Sequence, residues 1–420
     1  MGILETERDR RPGRRKPLRG CDVPAVASGP VVVAAVFCLV FLLMGTAFSF
    51  SIFAAALQRA LGAGSGSISL IFGGALALLY VGGFPAGILA DRIGTQWVAG
   101  AGAALAGGSL VIGGMVRTIW QADAALGLGF GLGLAVAYSP AVAAVQPWFD
   151  RNRGVASGIA LSGTGLGTLL MPLLALWLSE TRGWRTALTA IGLAVMGLGA
   201  TAAYWIRRPP GSPSAPFPRR ADGSLYRIAR APAFRWLYVG GFLSSFALLV
   251  PIVQTIPHAV RGGIPPQQAT WLISILGFGS VAGRLILGPV ADRLGRQRIL
   301  GALYAVLGAL FLIWTCRVGF AVMALFALAY GVCYGATIAL RPAVIADHFA
   351  GPNLAAVTGL HYTGSAVGTL LGPAAFGYAV EWWHSDLVPV CVAAASLCGA
   401  GYFFAARPPQ ARRGGPCRRR

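Results

Sequence analysis

Residues 87–94 read Gly87-Ile88-Leu89-Ala90-Asp91-Arg92-Ile93-Gly94, and residues 288–295 read Gly288-Pro289-Val290-Ala291-Asp292-Arg293-Leu294-Gly295. The octets stand 201 residues apart and share Gly, Ala, Asp, Arg and Gly at matching places. Each lies between two long apolar runs. Gly167-Thr168-Leu169-Leu170-Met171-Pro172 returns as Gly368-Thr369-Leu370-Leu371-Gly372-Pro373 at the same offset of 201, and Pro140-Ala141-Val142 returns as Pro342-Ala343-Val344 at 202. Three matches at nearly one offset make the chain an internal duplication.

Working outward, the apolar runs dominate. Of 420 residues 56% are hydrophobic and 11% charged, and the mean hydropathy is +0.68. A soluble domain carries about 25% charged residues, so water is not the main solvent. An ordinary soluble enzyme and a nucleic-acid-binding domain are excluded. The net charge of +21 gathers in tails and linkers and forms no stripe of the kind nucleic acid needs. Seven scattered cysteines without a CxxC give no disulfide framework, and no metal site or cofactor is expected.

A bilayer core of about 30 Å needs about 20 apolar residues per spanning helix. Twelve such stretches can be marked, at 31–56, 68–90, 97–115, 120–146, 154–178, 184–206, 234–258, 269–291, 299–316, 319–346, 354–380 and 386–406. The expected fold is an all-α membrane protein, with 12 transmembrane helices in two pseudo-symmetric six-helix bundles. The bundles take 31–206 and 234–406. A Pro- and Arg-rich linker (207–233) joins them, and basic tails (1–30 and 407–420) flank them. All eleven Trp fall near proposed span ends, as an interfacial belt would have it. The face holding both tails and the linker carries 26 basic residues against 6 on the other. The positive-inside rule then puts both termini in the cytoplasm, and the Arg-rich start reads as a retained tail. Lys16 is the only lysine among 34 basic residues. On that GC-rich bias rests the expectation of a cell membrane, the inner one of a bacterium.

Parallel six-span repeats are a transporter architecture, with the substrate site between the repeats near the midplane. The paired G-x-x-A-D-R-x-G loops and the 6+6 layout resemble the major facilitator superfamily over nearly the whole chain. Three segments resemble its monocarboxylate transporter and oxalate/formate exchanger branch: Gly45 to Phe53, Trp148 to Gly163, and Gly277-Phe278-Gly279-Ser280-Val281-Ala282-Gly283-Arg284.

Arg284 is the principal candidate. It lies eight residues before Asp292, about 12 Å deep at 1.5 Å per residue. Charges at such depth are rare and face a cavity or a partner. A guanidinium without a fixed counter-ion matches the two oxygens of a carboxylate. The alternative is an Arg held by backbone carbonyls. The resemblance implies substrate-anion binding at this place in the eighth span. The branch also departs here: Ser280 stands where an Asp is linked to proton coupling, and Ser365 where the exchangers carry a Lys. His361 is the replacement candidate for proton coupling, or a neutral histidine packed between helices. Tyr138, Tyr334, Gln254, Phe50 and His361 itself complete the expected substrate-binding set with Ser280. Arg341, six residues before Asp347, reads as snorkelling to the interface. His258, His348 and His384 read as solvated.

Asp91, Arg92, Asp292 and Arg293 are expected to form a latch with Arg151 and Arg153. A carboxylate can cap a helix N-terminus of the other half, and the resemblance implies Asp91 at the start of span 11 and Asp292 at the start of span 5. The alternative is a tight turn with solvated charges. The expected activity is secondary transport of a small organic anion, a monocarboxylate such as a short 2-hydroxy or 2-oxo acid, with or without a proton. The expected partners are that anion and the lipid bilayer, with no nucleic acid, and the single chain is the functional unit. The rivals are an efflux pump for hydrophobic compounds and a non-transporting membrane sensor. No nucleophile–base pair or metal cluster occupies the spans, so an enzyme is not expected.

Overall fold

The computed structural model describes residues 28–149, 153–207, 209, 229–316, 318–349, 354–383 and 385–405. Residues 1–27 of the first tail, the whole second tail and most of the 207–233 linker therefore lie outside the described residues. Backbone groups in hydrocarbon must be satisfied within their own segment, and every described span is helical. Span 1 is Gly29–Phe48 with Phe50–Leu61, span 2 Ser65–Ile93 and span 3 Thr95–Gly113. Span 4 runs from Ile119 to Val145 through a π-helical turn at Asp123–Gly129. Spans 5 and 6 are Arg153–Arg182 and Trp184–Trp205. Span 7 is Pro232–Leu248 with Val250–Arg261, and span 8 is Pro266–Leu294. Span 9 begins at Arg296, and spans 10 to 12 are Phe320–His348, Leu354–Trp383 and Leu387–Ala405.

Eleven of these runs are long and apolar enough to cross a membrane. Span 11 is the twelfth, 30 residues long and more polar, because it buries His361, Ser365 and Thr369 against protein and not lipid. The packing repeats between halves. Spans 1 and 5, 2 and 4, and 3 and 6 pack in the first; spans 7 and 11, 8 and 10, and 9 and 12 pack in the second. Spans 1 and 7 break at corresponding places. Ser49 folds its Oγ back on the Gly45 carbonyl at 2.7 Å, and Leu249 is followed by Pro251, which has no N–H to give.

Glycine sets how closely the helices approach. The Gly run of span 4 seats Gly131 against the Ala75 backbone of span 2 and Gly133 against the Ala106 backbone of span 3. Gly94 and Gly295, the last residues of the two loop octets, both hold φ at 100°, a conformation that side chains with a Cβ rarely adopt. That lets a single residue separate span 2 from span 3 and span 8 from span 9.

Two expectations are corrected. Trp314 is no interfacial residue. It is 2% exposed, and its indole stacks on the His258 ring at 4.5 Å, which buries more apolar area than a belt position would. His258 is not solvated: its Nδ1 lies 2.7 Å from Asp386 Oδ2, and Arg261 holds the other oxygen at 3.0 Å. His348 also has a partner, the Val344 carbonyl at 2.9 Å. His384 lies outside the described residues.

Partial burial alone would raise the Asp386 carboxyl, but the His258 hydrogen bond and the Arg261 charge outweigh it and hold the group below its ordinary range. A depressed carboxylate contributes stability above its unfolded pKa, near 3.9, and loses it as pH falls through the folded value. Asp386→Asn should therefore lower the melting temperature in detergent at pH 7, with the difference from wild type closing as pH falls below the ordinary carboxylate range. Gly372 faces the Phe246 carbonyl with no room for a Cβ. Gly372→Ala should cost about 1–3 kcal/mol by overpacking, whereas Gly197→Ala, where a Cβ meets nothing, should leave or raise the melting temperature.

Candidate functional site

The halves meet along two antiparallel helix pairs, span 2 with span 11 and span 5 with span 8, and along the outer parts of spans 1 and 7. Span 5 meets span 8 rung by rung: Gly277 on Thr168 and Leu169, Val281 on Gly165, and then the Arg284 guanidinium on the Leu161 carbonyl at 3.1 Å. Span 2 meets span 11 through Gly66 on Gly377, Gly73 on Leu370, and Tyr80 stacked on Tyr362 at 5.5 Å. Beyond these rungs, toward the face that carries the two octet loops, Gly87, Gly158, Gly288 and Gly359 have open space where a Cβ would stand. On the opposite, far face the halves are closed by hydrogen bonds. Gln254 Nε2 donates to Ser65 Oγ at 3.2 Å and Ser69 Oγ at 3.0 Å. The Ser67 and Tyr378 hydroxyls lie 3.0 Å apart.

Between the two helix pairs lies a cavity of about 490 Å³, lined by Arg284, Arg341, Tyr80, Tyr138, Tyr334 and Tyr362 among mostly apolar neighbours. Pro140 and Pro342 lie inside the helices of spans 4 and 10 beside it. A proline leaves the carbonyl four residues earlier without its helical donor, so polar backbone is also presented at this depth.

Arg284 projects into the cavity. Its Nη1 donates to Leu161, and its Nε is buried with no hydrogen-bond partner. Among the described residues no carboxylate pairs with it. A backbone carbonyl thus steadies the guanidinium and leaves most of its fork unused.

Arg341 does not snorkel. It is 2% exposed and turned into a cage of hydroxyls. Its Nε and Nη2 donate to Tyr304 Oη at 3.1 and 2.7 Å, its Nη1 to Ser245 and Ser365 at 3.2 Å each, and its Nη2 also to Ser244 at 3.0 Å. All five guanidinium N–H groups therefore have acceptors, all of them neutral. Reaching the interface would have forfeited these bonds. The detectable signal was the hydroxyls themselves: Ser244-Ser245 in span 7 and Ser365 in span 11 lie at the depth of an intramembrane arginine.

Of the expected set, Arg284, Tyr138 and Tyr334 come together around the cavity. The others do not. Gln254 sits in the far-face closure. Phe50 packs on Phe72 at 5.7 Å, away from the cavity. Ser280 is buried where Gly335 of span 10 meets its backbone. His361 is 1% exposed, lies against Gly241 of span 7, and has no partner on either ring nitrogen. Spans 7, 8 and 11 line the cavity with other faces, and periodicity alone did not choose among faces of such uniformly apolar helices. Asp91, Arg92 and Arg293 stand at the octet-loop face, Asp91 half-buried and both arginines exposed. Arg151 and the side chains of Arg153 and Asp292 lie outside the described residues.

Comparison with known proteins places this geometry. The chain is 28% identical over 405 residues to monocarboxylate transporter 3 of Rattus norvegicus, covering 94% of this chain and 82% of that one. It is 31% identical over 310 residues to monocarboxylate transporter 12 of Xenopus laevis, covering 67% of each. A bacterial homologue of the human lysosomal transporter Spinster superposes with a TM-score of 0.65 at 17% identity, covering 90% of this chain and 94% of that one. The chain is a multi-pass membrane transporter and not an enzyme. The model of the Major Facilitator Superfamily matches residues 35–262 and 255–417, more than half of the sequence, and the chain belongs to that superfamily.

Proposed function

We propose that this protein carries a small organic anion, a monocarboxylate, across a cell membrane by alternating access, with Arg284 as the carboxylate anchor. The observation that carries this reading is the Arg284 fork, which lines the cavity with its Nε unpartnered. An incoming carboxylate supplies the missing acceptors and the missing charge in a site of low dielectric, where both count for more than in water. Tyr138 and Tyr334 stand beside it with hydroxyls for a second polar group of the substrate. Arg341 adds a fixed positive potential to the same cavity but keeps its own hydrogen bonds within the cage. The relatives named as monocarboxylate transporters agree with an acidic cargo.

With both termini in the cytoplasm, the open side of the cavity is the cytoplasmic one. Alternating access then requires that side to close as the far face opens. A ligand shifts such a balance only by its different affinity for the two states. Arg284 contacts Leu161 on the facing half, so a carboxylate bound to it feels the movement of that half.

Arg284→Lys should lose at least about tenfold in uptake of a labelled carboxylate into proteoliposomes, since an ammonium cannot offer the planar fork. Full uptake in that variant would overturn the anchor. Proton coupling is a separate matter. His361 is sealed from the cavity, so His361→Gln should keep the pH profile of uptake. A flattened profile would identify it as the proton carrier.

A further inference from the structure

The far face holds two carboxylates that match the two octet-loop aspartates. Glu180 and Glu381 stand 201 residues apart, as do Asp91 and Asp292. Glu180 lies in the last turn of span 5 and Glu381 in the last turn of span 11, the same spans whose first turns the resemblance assigns to Asp292 and Asp91. Each reaches the start of a helix in the opposite half. Glu381 Oε1 accepts from the Gly66 backbone N–H at 3.0 Å, and its carboxylate lies directly over Gly64, where a Cβ would collide with it. Glu180 Oε1 accepts from Gln267 Nε2 at 3.0 Å, in the first turn of span 8.

The two helix starts lack caps of their own. Span 2 has Gly64 at its N-cap position and span 8 has Pro265, neither with a side-chain hydrogen bond. The first N–H groups of a helix have no partner within it and carry the positive end of its dipole. For span 2 the missing cap comes from across the interface. A contact of this kind holds the two halves together only while their far ends touch, so it stabilises one state of the transporter and not the other.

We infer that Glu381, with Glu180 as its pseudo-symmetric twin, is a far-face latch that holds the cavity open to the octet-loop side, Glu381 by capping the span 2 start in trans and Glu180 by holding the Gln267 side chain at the span 8 start. Each antiparallel pair then carries a carboxylate at both ends. One holds the neighbouring helix start at the far face, and the other, Asp91 or its counterpart in sequence Asp292, is the carboxylate that the resemblance assigns to the octet-loop face when the molecule rocks the other way. The inference rests on the alternating-access reading and not on the anion anchor.

The test is carried out on the full-length protein in proteoliposomes of known sidedness, with the native cysteines replaced and Met44→Cys introduced as a reporter in the cavity wall. A membrane-impermeant maleimide is added from the far side, without substrate. Glu381→Ala should raise the far-side labelling rate about two- to tenfold, the range a lost helix-end carboxylate contact allows. Glu180→Ala should raise it less, because its contact is to a side chain. Glu381→Gln keeps an acceptor oxygen without the charge and should fall between wild type and Glu381→Ala, and it stands in if the alanine variant does not fold. Asp91→Ala should move the rate the opposite way. Unchanged far-side labelling in Glu381→Ala and Glu381→Gln, in protein that elutes as a single folded species, would overturn the latch. So would equal effects of Gln and Ala that track only a lowered melting temperature. Because no substrate is present, failure of the Arg284 assignment would leave this result readable.

Discussion

Span 5 crosses span 8 in one register, and much of the functional architecture depends on it. Gly277 admits the Thr168 and Leu169 backbone, Gly165 admits Val281, and the next rung sets Arg284 against the Leu161 carbonyl. The glycines allow backbones to approach closely, which in lipid is a main source of helix association because apolar side chains gain little by leaving lipid for each other. The same register then decides where an arginine meets the opposite half. The following rung would pair Gly288 with Gly158, and in this state both face open space. The helix pair is thus zipped from the far face to the depth of Arg284 and parted beyond it.

Two guanidiniums share the cavity and are treated differently. Arg341 has every N–H satisfied by a hydroxyl, so it is geometrically complete though its charge is unbalanced. Arg284 is geometrically incomplete as well. A buried donor left without an acceptor costs more than an ordinary hydrogen bond contributes, so the unfinished residue is where a ligand gains most. Burial depth alone did not distinguish the two arginines. Their neighbours did, three serines and a tyrosine in one case and one backbone carbonyl in the other.

Helix ends form a second recurring theme. Spans 2 and 8 have Gly64 and Pro265 at their N-cap positions, with no side-chain cap of their own, while the last turns of spans 5 and 11 carry Glu180 and Glu381. Local sequence rules would count these as poorly terminated helices. Across the interface they become complementary, and the weak local ends are what let the two halves recognise each other in one state and release in the next.

The sequence by itself determined the spans, their number and the duplication, because hydrocarbon thickness and backbone satisfaction act on each segment separately. It also determined that Arg284 lies too deep for an end charge. The tertiary structure alone decided which residues share the cavity. Tyr138, Tyr334 and Arg284 converge there, while Gln254, Phe50, Ser280 and His361 turn to other neighbours. It alone placed Arg341 in a hydroxyl cage and Trp314 in the interior. The reason is physical: a spanning helix is apolar on every side, so its composition does not mark which face meets lipid, which meets protein and which meets the cavity. That choice belongs to the register between helices, which glycine contacts distributed over the whole chain set together.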